Sequence, residues 1–199
     1  NAFTNAVAIL SLHYAHEAAK ILGKKSKPDW MHVADNIMIL NFENGVTREH
    51  ASYRGEIIKQ ADVNLLSFPL EFYSNEDQIR RDLEYYEPRI SPSGPAMGSA
   101  ILSVLYNRLG DIDKAEEVFL KSYKPNELPP FGVLAETAGG TNPYFATGAG
   151  GMLQAVISGF GGLVIRDGGL QKIESQIPES WGKLLISGAG VDELNYELK

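Results

Sequence analysis

Cysteine is absent from these 199 residues. That excludes a disulfide framework, a thiolate nucleophile and a Cys-ligated metal, and it leaves the redox compartment open. No apolar run reaches the length needed to span a bilayer. No basic cluster interrupts a chain whose net charge is -7 and whose pI is about 5.1. Such a balance argues against non-specific binding to nucleic acid or to an anionic membrane surface, so neither partner is expected. There is no Asn-x-Ser/Thr acceptor, no Walker loop and no Gly-x-Gly-x-x-Gly run behind a strand. Residue 1 is Asn, with no Met and no signal peptide ahead of it, so the chain reads as the middle of something longer.

What is present is an ordinary globular composition, 44% hydrophobic, with helical periodicity through most of its length. Helices are expected from Asn5 to Leu22, from Asp29 as a cap to Met38, from a capping-box start at Ser74 to Tyr86, from Ala96 to Leu109, from Ile112 to Tyr123 and from Met152 to Leu163. Gly23 and Gly110 are placed to end the first and fourth of them. Phe42-Glu43-Asn44-Gly45-Val46 carries an Asn-Gly turn signal. Beyond residue 163 the period changes. Leu163-Val164-Ile165, Leu184-Leu185-Ile186 and Leu194 to Leu198 read as short strands among Gly-rich turns. The pattern is mainly α with a small β appendage: residues 1–163 a helical-hairpin array or α/α toroid, residues 164–199 a separate β segment. Ala100 to Tyr123 mimics one tetratricopeptide repeat without a second copy, so a peptide-binding solenoid is the weaker alternative.

Three places carry chemistry. The stretch from Ala135 to Gly151 sets one carboxylate, Glu136, among Gly, Thr and Asn, directly before an apolar helix. It reads either as a ligand-facing rim or as a helix connection that needs Gly for packing. Ile57 to Leu66 places Lys59, Gln60 and Asp62 inside a run that otherwise wants burial. Lys59 and Gln60 either face a polar cavity and bind hydroxyls, or form the solvent face of an amphipathic helix. His13, His16 and Glu17 share the first helix. Their spacing matches neither zincin signature and no further ligand is evident, so no metal is expected.

Asn1-Ala2-Phe3-Thr4-Asn5, Ile58-Lys59-Gln60-Ala61-Asp62-Val63, Thr147-Gly148-Ala149-Gly150-Gly151 and Gly159-Phe160-Gly161-Gly162-Leu163 together resemble glycoside hydrolase family 65. That family includes acid trehalases, kojibiose hydrolases, the glucosidase of glucosylgalactosyl-hydroxylysine, and several disaccharide phosphorylases. The resemblance implies the C-terminal half of an (α/α)6 barrel followed by a small β C-terminal segment. It implies an α-glucosidic disaccharide of the kojibiose or trehalose type as substrate, and no cofactor. It further implies that the general acid lies on an N-terminal part of the enzyme, carried by a separate chain or missing fragment. Self-association into a homodimer stays open, and a periplasmic or secreted setting is the expectation for compartment. Family phosphorylases hold phosphate with a Ser-rich loop and a His. The equivalent places read Ser91-Pro92-Ser93-Gly94-Pro95 and Asn142-Pro143-Tyr144-Phe145, without the His, which favours hydrolysis. By the same resemblance Glu136 is the general base of an inverting reaction, and Lys59 and Gln60 hold the non-reducing glucose. The alternatives are phosphorolysis, or a non-catalytic helical module that binds sugar or peptide.

Overall fold

The computed structural model describes residues 1–166 and 168–199. It is mainly helical, as the periodicity leads one to expect. The chain forms two compact units: Asn1–Ile57 with Ala61–Arg89, and Ile58–Gln60 with Ile90–Lys199.

In the first unit, α1 (Ala2–Ile21) begins earlier than its apolar period, because the Asn1 side chain accepts the Thr4 N–H at 3.0 Å and caps it. Lys24 N–H reaches Ala19 O at 2.8 Å and Gly23 N–H reaches Lys20 O at 3.1 Å, the paired bonds of a Schellman stop. α2 (Asp29–Asn36) is shorter than expected. Pro28 occupies its N-cap and Asp29 lies in the first turn, where a carboxylate suits the helix dipole without capping. The Asn44-Gly45 turn joins Asn41 to Thr47 in a single antiparallel bridge. α3 (Glu76–Tyr86) is capped by Asn75, which accepts the Gln78 N–H at 2.9 Å.

The core of this unit is aromatic. Tyr53 and Tyr86 stack with centroids 5.8 Å apart, and both are fully buried beside Leu66, Leu83 and Val63. Each phenol needs an acceptor once buried. Tyr86 Oη donates to Thr47 O at 2.7 Å, and Tyr53 Oη donates to Glu56 O at 2.8 Å. Residues 57–66 do not form the amphipathic helix that was one reading of their pattern. Only Asp62–Leu66 turns, as a 3-10 helix. Its start is held by Glu49, whose carboxylate accepts the N–H groups of Asp62 at 3.3 Å and Val63 at 3.2 Å.

Glu49 is 5% exposed. Burial first, and then the negative charge of Asp62, push its carboxyl up to about 7 against the pull of those two N–H groups. Burial likewise raises Asp82, which accepts Thr47 N–H at 2.8 Å. A carboxyl whose folded pKa exceeds its unfolded value holds a proton that the unfolded chain releases. Its contribution to stability is therefore complete below the unfolded value and is lost as pH rises through the folded one. Denaturant midpoints are expected to fall between pH 5 and pH 8, each pKa unit being worth about 1.4 kcal/mol, and Glu49→Gln is expected to flatten the fall. A level profile for the unmutated protein would contradict the assignment.

The second unit is built on the hairpin of α4 (Met97–Arg108) and α5 (Ile112–Lys121), where Asp111 caps α5 by accepting Lys114 N–H at 3.2 Å. Leu102, Val104, Leu105, Ala115, Val118 and Phe119 are buried in it. α6 (Ala146–Gln154) continues as a π-helical stretch to Phe160. The helix thus begins before Met152 and ends before Leu163, and Thr147 to Gly151, read as loop, belong to its first turns. The reason is packing against α4. A Cβ on Gly151 would come within 3.2 Å of the Met97 side chain and 3.3 Å of Ala100. Close helix approach thus overrides the low helix propensity of glycine.

Three antiparallel pairs complete the unit among the described residues. β1 (Glu127–Leu128) pairs with β2 (Val133–Leu134), β3 (Leu163–Arg166) with β4 (Gly169–Lys172), and β5 (Leu184–Ala189) with β6 (Leu194–Leu198). Trp181 ties the late segments to the helices. Its ring lies 4.5 Å from Phe160 and 5.6 Å from Phe119, and its indole N–H donates to Glu116 at 3.1 Å.

Candidate active site

Glu136 follows β2 by two residues, and its backbone is fastened from one side by Asn126. The Asn126 amide, 3% exposed, donates to Ala135 O at 3.0 Å and to Glu136 O at 3.1 Å. The Asn126 carbonyl accepts Ala135 N–H at 2.8 Å, and Pro125 O accepts Gly139 N–H at 3.1 Å. Downstream, Phe145 N–H donates to Leu134 O at 2.9 Å, so the loop from 135 to 144 is closed at its base. A short loop tied at both ends holds a side chain more narrowly than a free one. The Glu136 side chain itself projects outward and is 42% exposed.

Lys59 meets it. Its ammonium lies 3.4 Å from Glu136 Oε1, across 77 residues of sequence, and its side chain is 65% exposed. The backbone that carries Lys59 is fixed by the parallel bridge of Ile58 with Ile90 and by Ser91 N–H donating to Ile58 O at 2.8 Å. Gly94 makes this approach sterically feasible, since a Cβ there would sit 2.5 Å from Lys59 O. The Ser91–Pro95 loop thus lies directly against the Lys59 backbone, with Ser91 and Ser93 hydroxyls 3.0 Å apart. Gln60 is exposed beside Lys59 in the chain. Of the three residues singled out from sequence, Lys59 and Glu136 are brought together side chain to side chain. An exposed ion pair contributes only about 0–1 kcal/mol, so little free energy holds the Lys59 ammonium on Glu136.

The histidine cluster of α1 resolves differently. His16 bonds Ser26 Oγ at 2.8 Å, and Glu17 pairs with Lys20 at 2.7 Å. Among the described residues no three His, Asp or Glu side chains converge in a metal-holding arrangement. Nor is any helix among them long and apolar enough to cross a membrane.

An exposed carboxylate, an adjacent ammonium and a Ser-containing loop invite comparison with carbohydrate enzymes. The profile of the glycosyl hydrolase family 65 central catalytic domain matches residues 31–126. A kojibiose hydrolase of Mucilaginibacter mallensis is 52% identical over 200 residues, covering 100% of this chain and 30% of that protein. A kojibiose hydrolase of Flavobacterium johnsoniae is 50% identical over 100% of the chain and 29% of its own length. The chain belongs to glycoside hydrolase family 65. Similarity extends to the protein-glucosylgalactosylhydroxylysine glucosidase of Danio rerio, 40% identical over 82% of the chain and 25% of that protein. The chain therefore spans about three tenths of the length of the family 65 relatives first matched.

One residue that shapes this site, Asn126, escaped the sequence reading. Asn126 sits in Lys124-Pro125-Asn126, and a Pro-Asn pair is a turn signal whose amide seeks nearby backbone. That signal points to a local bond and not to the loop nine residues on.

Proposed function

We propose that this chain is the base-bearing part of an inverting glycoside hydrolase that cleaves an α-glucosidic bond of a disaccharide, of the kojibiose or α,α-trehalose type. The observation that carries the reading is the Lys59–Glu136 pair on two fastened loops. Inversion needs an acid on the leaving oxygen and an ionised base on the opposite face, their carboxyls about 6.5–9.5 Å apart to admit a water. Glu136 takes the proton of that water as it attacks the anomeric carbon. Lys59 and Gln60 donate to hydroxyls of the non-reducing glucose. Bonds that tighten as the ring gains oxocarbenium character lower the barrier. No metal or organic cofactor enters this chemistry.

The general acid, in this reading, comes from the part of the catalytic domain outside these 199 residues. Residues 1–163 would supply the C-terminal half of an (α/α)6 barrel and 164–199 a β segment appended to it. The makeup of α1 supports a further partner surface. The residues it buries are Ala2, Ala6 and Ala19, while Val7, Tyr14 and Ile21 stand open.

Product stereochemistry tests the proposal. With kojibiose and the protein carrying its complete catalytic domain, early proton NMR spectra should show β-glucose from the non-reducing unit, later relaxing to the anomeric mixture. Release of α-glucose first, or a strict requirement for inorganic phosphate with a glucosyl phosphate as product, would overturn it.

A further inference from the structure

Tyr144 lies on the same tied loop as Glu136 and is 81% exposed. Single exposed aromatics are common and mean little by themselves. This one stands apart through its backbone. Its φ is +66°, in the left-handed region that a bulky side chain rarely enters. Strain of this kind persists only where the surroundings over-determine it, and it gathers at sites that hold a ligand.

The surroundings here do over-determine it. Pro143, with its ring-fixed φ, precedes Tyr144. Phe145 follows, pinned through its N–H to Leu134 O at 2.9 Å and through its ring, which lies where a Cβ on Gly148 would come within 2.8 Å. Leu134 is two residues from Glu136, so both side chains are hung from one hydrogen-bonded base. The phenol ring is thereby presented to solvent on the same tied loop that carries Glu136, whose carboxylate meets the Lys59 ammonium. The axial C–H groups of a pyranose form an apolar patch that an open aromatic face covers well, while the hydroxyls around its rim suit Glu136 and Lys59.

We propose that Tyr144 is a sugar-stacking residue of this site, its left-handed backbone serving to aim the ring at a pyranose held beside Glu136. The inference rests on the hydrolase reading and deepens it. Tyr144 takes no proton and forms no bond to the reacting carbon; it sets affinity.

The experiment uses Tyr144→Ala, Tyr144→Gly and Tyr144→Phe in the protein with its complete catalytic domain, and follows kojibiose hydrolysis. Calorimetric titration of kojibiose is done in a Glu136→Gln background so that the ligand survives. Tyr144→Ala and Tyr144→Gly should both raise KM and Kd roughly tenfold, with kcat within about threefold of the parent; melting temperature should hold in Tyr144→Ala and hold or rise in Tyr144→Gly, where glycine relieves the left-handed strain. Tyr144→Phe should keep the parental values, because the face is retained. Normal affinity in Tyr144→Gly would assign the role to the backbone alone and overturn the proposal, as would unchanged affinity in Tyr144→Ala. A fall confined to kcat or to melting temperature would overturn it too. Absence of binding of both kojibiose and α,α-trehalose by the parent would overturn the hydrolase reading and this proposal with it. Retained turnover in Glu136→Gln alone would refute the base and leave the platform standing.

Discussion

Glu136→Gln is expected to abolish most hydrolysis in the protein with its complete catalytic domain while leaving sugar affinity nearly intact. An amide cannot accept the proton of the attacking water, and general-base catalysis is worth about 10²–10⁴-fold. The loss in kcat should be at least that large. The limb of the pH–rate profile that reports the base should vanish with it. Azide, small and already anionic, should restore turnover by attacking the anomeric carbon from the face the water used. The leaving sugar still takes its proton from the general acid, so the product is a β-glucosyl azide. Folding should be little affected, because the ion pair with Lys59 is exposed on both sides and its loss is worth about 0–1 kcal/mol. Near-normal turnover per folded molecule would make Glu136 an ordinary loop residue and leave only sugar binding to the site.

The helical body was legible because its determinants are local. Apolar spacing and the capping side chains of Asn75 and Asp111 act within one turn of the helices they start. Lys59 and Glu136 were each legible as residues, yet their meeting was not, since 77 positions separate them and no pattern couples the two. The two-residue strands β1 and β2 are too short to show a period of two. The glycines from 148 to 151 misled in a specific way. Gly-rich composition signals a loop when backbone freedom is what matters, and here what matters is the space between α6 and α4. Tyr144 was invisible for the opposite reason: nothing in Asn142-Pro143-Tyr144-Phe145 announces a left-handed tyrosine. Strain is a property of the folded loop, not of its composition.

Asn126→Asp is expected to have the second largest effect on turnover, although Asn126 touches no substrate. Its amide nitrogen donates to two successive carbonyls, Ala135 O at 3.0 Å and Glu136 O at 3.1 Å, from a position 3% exposed to solvent. A carboxylate of the same shape offers no donor, and it would set oxygen against oxygen at both contacts. Each buried group left unsatisfied costs about 1–3 kcal/mol, so the loop should relax away from Asn126 and carry Glu136 with it. A displacement of about 1 Å at a reacting group can cost about 10²-fold. The expected result is therefore a fall in kcat near that size, measured well below the melting transition so that unfolded protein does not contribute. The deficit should shrink as pH falls, because the protonated carboxyl regains one O–H donor, whereas the deficit of Asn126→Ala should not vary with pH in that way. Equal, pH-independent losses in both variants would mean that packing volume, not the donated bonds, holds the loop. Full turnover in Asn126→Asp would show that Glu136 is positioned without it.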